Sequence, residues 1–407
     1  MTHCRHCSAK LENIFLDLGF APPSNSYLSH LNQSEKYYPL MLYVCKSCWL
    51  VQTIDYADRD EFFSEDYAYF SSVSKSFLKH AEDYTHMISK RLSLNEDSFV
   101  VEVASNDGYL LKNFISLGIP CIGIEPTIST AEASEKIGVH VIKDFFGEVL
   151  ANDISKSGKK ADLILGNNVY AHVPDINDFT KGLKALLKKD GSITLEFPHL
   201  MQLLKYSQFD TVYHEHYSYL SLTTVISIFD AHELKVYDVE ELSTHGGSLR
   251  IYGCHTNDPR KISPNVSNIL NKESDLGMQC IDTYESFQVQ ADTIKNNLLT
   301  FLIDQKNKGN SVSAYGAAAK GCTLLNYAGI KQDLIHSVFD AAPSKQNKFL
   351  PGSHIPILHP DEIKRIKPDI LLVLPWNIKD EIIQQNDFIR EWGGKFVVAV
   401  PDIKVLA

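Results

Sequence analysis

The chain has 407 residues, 44% apolar and 22% charged, which calls for a globular protein of two or three folding units. A formal charge of −11 excludes the basic face of a nucleic-acid binder, although a few local Lys or Arg side chains suffice for an anionic small substrate. No apolar run reaches the ~18 residues of a membrane span, and MTHCRHCSAK has no apolar signal core, so a cytoplasmic protein with reduced cysteines is expected.

In chain order, the first feature is a pair of close cysteine pairs, Cys4-x2-Cys7 and Cys45-x2-Cys48. Each tight turn can point two thiolates at one ion, and the ion then closes the intervening loop. Four sulfurs leave no open coordination position, so a structural zinc is expected. A helical stretch follows over Ser71–Ser93. Five short apolar strands then alternate with helices: Phe99–Ala104, Pro120–Glu125, Val139–Phe145, Ala161–Asn168 and Gly191–Pro198. The helix before the last of these spans about Asp175–Lys189. Such alternation implies a parallel, doubly wound sheet. Leu234–Leu242 and Gly247–Cys254, joined by a short STHG turn, read as an antiparallel hairpin. Five parallel strands closed by a hairpin is the layout of class I methyltransferases. A polar, helix-compatible stretch runs from about Ile262 to Lys308, and a second α/β unit starts at Ser311–Gly321.

In open α/β sheets, ligands bind beyond the carboxyl ends of the strands, where the strand order reverses. The first strand ends in Glu102-Val-Ala104-Ser105-Asn106-Asp107-Gly108, and the second in Glu125-Pro126. An acid at that second tip can accept hydrogen bonds from both ribose hydroxyls of an adenosine. A dinucleotide fold would prefer a Gly-rich turn facing pyrophosphate. Here Asp107 would repel a phosphate, so a cationic, phosphate-free cofactor, S-adenosylmethionine, fits better. Glu102, Ala104, Ser105, Asn106, Gly108, Tyr109, Leu110, Glu125 and Pro126 are assigned to it. Asn167 and Asn168 join them at the end of the fourth strand, with His172 close behind.

The stretches VEVASNDGYLL, GIEPT, NNVYAHVPD, EFPHL, FDTVYHEHYSYLSL, HGGSLR and YGAAAKG together resemble the sugar C-methyltransferases that build branched-chain deoxysugars. The resemblance covers nearly the whole chain. It implies an α/β protein of three parts: a zinc-binding module over 1–60, a methyltransferase domain over 61–258, and a helical connector with a Rossmann-like nucleotide-sugar domain over 259–407. It also implies a substrate, a nucleotide-linked (dTDP, CDP or GDP) 4-keto-6-deoxyhexose methylated at C3. Tyr213, Glu215, His216 and His172 would line the reacting sugar, joined by Tyr67 or its neighbour Tyr69. The turn Ala104-Ser105-Asn106 departs from the glycines common in this position, which bears on cofactor affinity.

A sugar C–H is acidic only beside a carbonyl, so the reaction needs a base near C3, a donor for the enolate oxygen and a methyl sulfonium in line. His216 suits the base, since an imidazole ordinarily titrates near neutral pH, while Glu215 either raises its basicity or takes the proton itself. Tyr213 or Tyr67 would donate to the enolate oxygen, with His172 sharing that role. His214 is placed against the substrate. His214 and His216 on one strand face would form a metal pair, but no further ligands accompany them. In the last domain, Gly316–Gly321 would present backbone N–H groups to a pyrophosphate, with Lys320 supplying charge and Asp340 and Lys345 nearby. Competing readings are an NAD-dependent oxidoreductase or epimerase, which Glu125 would also suit, and a non-catalytic zinc-containing binding protein. A monomer is expected.

Overall fold

The structure, a computed structural model, describes residues 2–56 and 70–406. Tyr67 and Tyr69 lie outside the described residues. The chain divides into two compact units, each discontinuous in sequence. The first gathers Met1–Glu12, Cys45–His199 and Tyr217–Gln279; the second gathers Asn13–Val44, Leu200–His216 and Cys280–Ala407. Among the described residues, no helix is long and apolar enough to cross a membrane.

The first unit is built on a seven-stranded sheet: β1 (Val100–Val103), β2 (Cys121–Ile124), β3 (Val141–Ile142), β4 (Ala161–Asn167), β5 (Leu187–Pro198), β6 (Leu234–Leu242) and β7 (Ser248–His255). Their spatial order is β3-β2-β1-β4-β5-β7-β6, with β1 to β5 parallel and β7 antiparallel to both neighbours. That order reverses between β1 and β4, which opens a crevice at their carboxyl ends. All four residues of β1 are buried, as a central parallel strand requires.

Local sequence explains the helices. The helix α1 (Lys75–Leu92) starts at Ser74, whose hydroxyl accepts the Phe77 N–H at 3.3 Å, and ends at Ser93 in the left-handed region. The expected start at Ser71 is instead a separate 3-10 turn, Ser71–Val73, held from outside by side chains of the β1 loop. Between strands lie α2 (Leu111–Ser116), α3 (Ile128–Lys136), α4 (Glu148–Lys156) and α5 (Ile176–Leu186). In α5, Ile176, Phe179, Thr180, Leu183 and Leu186 repeat at helical spacing and are buried. The helix stops at Leu186, short of the expected Lys189, because Leu187 already pairs with Ala161 and begins β5. The third strand is likewise shorter than expected, only Val141–Ile142 at the sheet edge. The helices α6 (Leu222–Ala231) and α7 (Pro264–Asp275) complete this unit.

In the second unit, Asn13–Ala21 pairs antiparallel with Tyr38–Val44, a hairpin the sequence reading did not foresee. It buries Phe15 against Tyr284 and Phe287, with ring centroids 5.5 and 4.9 Å away. After the helix α8 (Phe287–Asn307) comes a six-stranded sheet: β8 (Val312–Tyr315), β9 (Val338–Phe339), β10 (Ile357–Leu358), β11 (Ile370–Val373), β12 (Lys395–Val398) and β13 (Lys404–Leu406). The order β10-β9-β8-β11-β12-β13 is that of a Rossmann-like fold, with the last strand antiparallel. The helix α9 (Ala319–Tyr327) follows β8.

Candidate functional site

The four paired cysteines converge. Their Sγ atoms all lie within 4.8 Å of one another, with Cys4 to Cys48 at 3.6 Å and Cys7 to Cys45 at 3.5 Å. Thiolates bound tetrahedrally at about 2.3 Å lie about 3.8 Å apart, so the cage fits one zinc ion with no position left open. Each knuckle turns through a left-handed residue just after its second cysteine, Ser8 at φ 61° and Trp49 at φ 61°. Gln52 Nε2 donates to Cys4 Sγ at 3.1 Å. Among the described residues, this is the one group of three or more ligand-type side chains suited to an ion, and it does not include His214 or His216.

The β1 turn lies at the carboxyl end of a central parallel strand, where open α/β sheets bind their ligands. Ala104, Asn106 and Gly108 all adopt positive φ, at 57°, 49° and 76°. A Cβ on Gly108 would stand 2.6 Å from Ser134 Oγ, so this position requires glycine twice over. Glu125 accepts the Asn106 N–H at 2.9 Å and the Thr127 N–H at 3.0 Å, which fixes the acid at the tip of β2. The side chains of Asn106 and Asp107 accept the Ser71 and Ser72 N–H groups at 3.0 and 3.1 Å. Asp107 therefore anchors a neighbouring turn. Burial pushes the Glu102 carboxyl well above its usual pKa, and Glu125 and Asp107 push it further.

Several buried polar atoms here have no hydrogen-bond partner among the described residues: Glu102 Oε2, Ser105 Oγ, Asp107 Oδ1, both amide atoms of Asn167, and Asn168 Oδ1. Leaving one such group unpaired costs on the order of 1–3 kcal/mol, so the crevice is built to receive a polar ligand. This donor and acceptor set fits S-adenosylmethionine, the cofactor of the methyltransferase domain. Tyr109 and Leu110 are both buried in the hydrophobic core, Tyr109 stacked on Phe77 at 5.0 Å. Pro126 is half-buried beside Glu125.

Asn168 follows β4 at φ 56°, with its Nδ2 3.2 Å from His245 Nε2. His172 ends the 3-10 turn Tyr170–His172, and the next helix is capped by Asp175, which accepts the Asp178 N–H at 2.9 Å. Behind His245 lies an ion network that the sequence reading missed: Glu196 meets His80 at 2.9 Å and Arg250 at 3.0 Å. Burial pushes the Glu196 carboxyl up, but His80 and Arg250 prevail and hold it down at about 2.

In the second unit, the Tyr-His-Glu-His segment follows the 3-10 turn Phe209–Thr211 in an irregular turn, not in a strand. His214 and His216 therefore do not share a strand face. Tyr213 and His216 pair, with hydroxyl to Nε2 at 2.7 Å and ring centroids 4.1 Å apart. Glu215 is buried, and both carboxylate oxygens lie 2.8 Å from Asn25 Nδ2. Burial pushes its pKa up to about 7, against the opposing pull of Asn25. His214 is also buried and is pushed down to about 4, with Nε2 3.3 Å from the Tyr38 carbonyl. A neutral imidazole packed edge-on against Tyr38 acts as a wall residue.

The turn after β8 differs from its expected form. The Gly316 N–H donates to the Phe339 carbonyl at 2.7 Å, and the Ala317 N–H to Asp340 Oδ2 at 2.7 Å. These two donors are therefore already taken, and Asp340 serves as the brace of the turn. Lys345 reaches the Ala317 carbonyl at 2.9 Å and Asp340 at 3.8 Å. Lys320 lies 4.4 Å over the Trp376 ring and donates to Asn377 Oδ1 at 2.8 Å. Burial lowers its pKa to about 8, opposed by Asp210.

Three family models match the chain: a proposed zinc binding domain over residues 4–63, a methyltransferase domain over 77–239, and a C-methyltransferase C-terminal domain over 243–401. The C-methyltransferase NovU of Streptomyces niveus is 32% identical over 406 residues, covering 99% of this chain and 96% of that protein. Among solved structures, the PH0226 protein of Pyrococcus horikoshii is 14% identical with a TM-score of 0.39, covering 46% of this chain and 95% of its own. An S-adenosylmethionine-dependent methyltransferase of Clostridium acetobutylicum is 11% identical with a TM-score of 0.36, covering 44% and 92%.

Proposed function

The chain belongs to the S-adenosylmethionine-dependent C-methyltransferase family, and from that premise we propose that it methylates C3 of a nucleotide-linked 4-keto-6-deoxyhexose. The observation that carries this reading is the Glu215 carboxyl, buried, raised to about 7, and next in the chain to the Tyr213–His216 pair. A carboxyl at that value is a base near neutral pH, and a base is what a C–H beside a ketone demands.

In this proposal Glu215 takes the C3 proton and the electron pair moves into the C3–C4–O4 system. Asn25 then loses an anionic partner and retains a neutral one. The Tyr213–His216 couple donates a hydrogen bond to the enolate oxygen. Because His216 Nε2 is engaged by the Tyr213 hydroxyl, Glu215 is preferred over His216 as the base. S-adenosylmethionine, when bound, supplies a methyl group on a positively charged sulfur. The new C3–methyl bond forms as the methyl–sulfur bond breaks, which leaves a neutral thioether and no net charge to dispose of. His172 and Lys320 remain candidates for holding the sugar and its phosphates.

The test is incubation with a panel of dTDP-, CDP- and GDP-linked 4-ketohexoses in heavy water, without and with S-adenosylmethionine. Deuterium entering C3 before any methyl transfer supports the enolisation step. Methyl transfer to a substrate that never exchanges at C3 would remove it.

A further inference from the structure

The knuckle that carries Cys4 and Cys7 does more than close a zinc cage. Arg5 stands between the two cysteines with its side chain only 7% exposed. Its guanidinium reaches the Pro174 carbonyl at 2.5 Å, the Thr53 carbonyl at 2.8 Å and Asp55 at 2.9 Å. It also lies 5.3 Å over the Tyr217 ring. A second set of bonds runs the other way. Asn177, in the first turn of α5, donates to the Arg5 and His6 carbonyls at 3.2 and 2.9 Å. Its Oδ1 lies 2.9 Å from His6 Nδ1 and 3.0 Å from His232 Nε2. The knuckle backbone is itself pinned, because the Arg5 N–H donates to Gln52 Oε1 at 2.9 Å while the Gln52 amide holds Cys4 Sγ.

All these contacts lie within the first unit, and those to Pro174 and Asn177 fall just after His172. Pro174 lies in the link between the Tyr170–His172 turn and α5, and Asn177 in the first turn of α5, downstream of the buried Asn167 that ends β4 and of Asn168 after it. A planar guanidinium bonded to two carbonyls fixes direction as well as distance, which a lysine ammonium does not. We propose that the first zinc knuckle is a clamp on the His172 segment and that Arg5 is its positioning residue. The zinc ion fixes the knuckle, the knuckle aims Arg5, and Arg5 with Asn177 sets where residues 168–175 sit. This inference rests on the reading that His172 serves methyl transfer.

The test uses the full-length zinc-loaded protein and the variant Arg5→Lys. Hydrogen exchange of the peptide covering 168–175 is expected to speed up at least tenfold, with the peptide covering 100–110 unchanged. Zinc content is expected to stay at one ion per chain, and the S-adenosylmethionine Kd to stay within threefold. Turnover with S-adenosylmethionine saturating should fall about 10- to 100-fold, the penalty for small misplacement of reacting groups. If Arg5→Lys loses its zinc, Asn177→Ala, which leaves the knuckle sequence intact, carries the same exchange measurement. Unchanged exchange at 168–175 in the zinc-retaining variant overturns the clamp. Failure of the wild-type protein to transfer methyl groups would instead remove the functional reading and leave the exchange result standing.

Discussion

Asn25 Nδ2 stands 2.8 Å from both carboxylate oxygens of Glu215, the two residues being 190 positions apart. The Asn25 amide thus faces a buried acid whose pKa burial pushes up to about 7. The folded-state value is raised above the usual 4.5, so the native protein holds this proton more tightly than the unfolded chain. Stability contributed here is fully present below about 4.5 and is lost as pH rises toward about 7, by roughly 3 kcal/mol. Glu215→Gln should remove that dependence and raise the melting temperature at pH 8. Methyl transfer by the wild type should climb with pH through about 7, and Glu215→Gln should lose at least a hundredfold in kcat with its fold retained. A pH–rate profile of both proteins checks this.

Glu125 offers a second prediction. It accepts the Asn106 and Thr127 N–H groups, and we propose that it also accepts from the ribose of the methyl donor. Glu125→Gln removes the charge of an acceptor toward two hydroxyls, a loss of about 1.5–3 kcal/mol. Calorimetric titration should show S-adenosylmethionine and its demethylated product both binding about 10- to 100-fold more weakly. Equal affinity for the variant and the wild type would move the ribose elsewhere.

A third concerns the Glu196 network. With Arg250 replaced by Met, Glu196 is left buried with His80 and Thr244 alone. Breaking a buried pair from one side costs about 3–5 kcal/mol, and urea unfolding at pH 7 should show it. Glu196 has a depressed pKa, so its contribution is present above the usual 4.5 and lost as pH falls toward about 2. The deficit of Arg250→Met should therefore shrink in acid.

The sequence makes some of this visible and hides the rest for physical reasons. Two CxxC turns, the strand–helix alternation and the β1 loop are local patterns, and each forms, although the helix expected from Ser71, the helix expected to reach Lys189 and the third strand have other bounds. The hairpin of Asn13–Ala21 and Tyr38–Val44 escapes notice because its burial depends on Tyr284 and Phe287, far along the chain. Asn25 escapes for the same reason, although the turn Pro22-Pro23-Ser24-Asn25 marks a fixed backbone. The chain writes Glu215 and His216 side by side, yet Glu215 faces Asn25 while His216 faces Tyr213. The GAAAKG turn shows its limits most clearly, since only the fold reveals that Asp340 and Phe339 already occupy two of its donors.

Zinc should be structural. Stripping the ion with a strong chelator is expected to lower the melting temperature, and readdition of zinc to restore it, with one ion per chain by elemental analysis. Cys45→Ser should mimic the stripped protein. A chelated protein of unchanged stability would leave the cysteine cage without a role in the fold.

The most direct test of methyl transfer to carbon is to supply S-adenosylmethionine carrying a carbon-13 methyl group with each 4-keto sugar nucleotide. The product is then read by carbon–carbon coupling in its NMR spectrum. A labelled methyl bonded directly to ring carbon C3 is the predicted result. A label found on oxygen or nitrogen, or none transferred while the cofactor is bound, would contradict it.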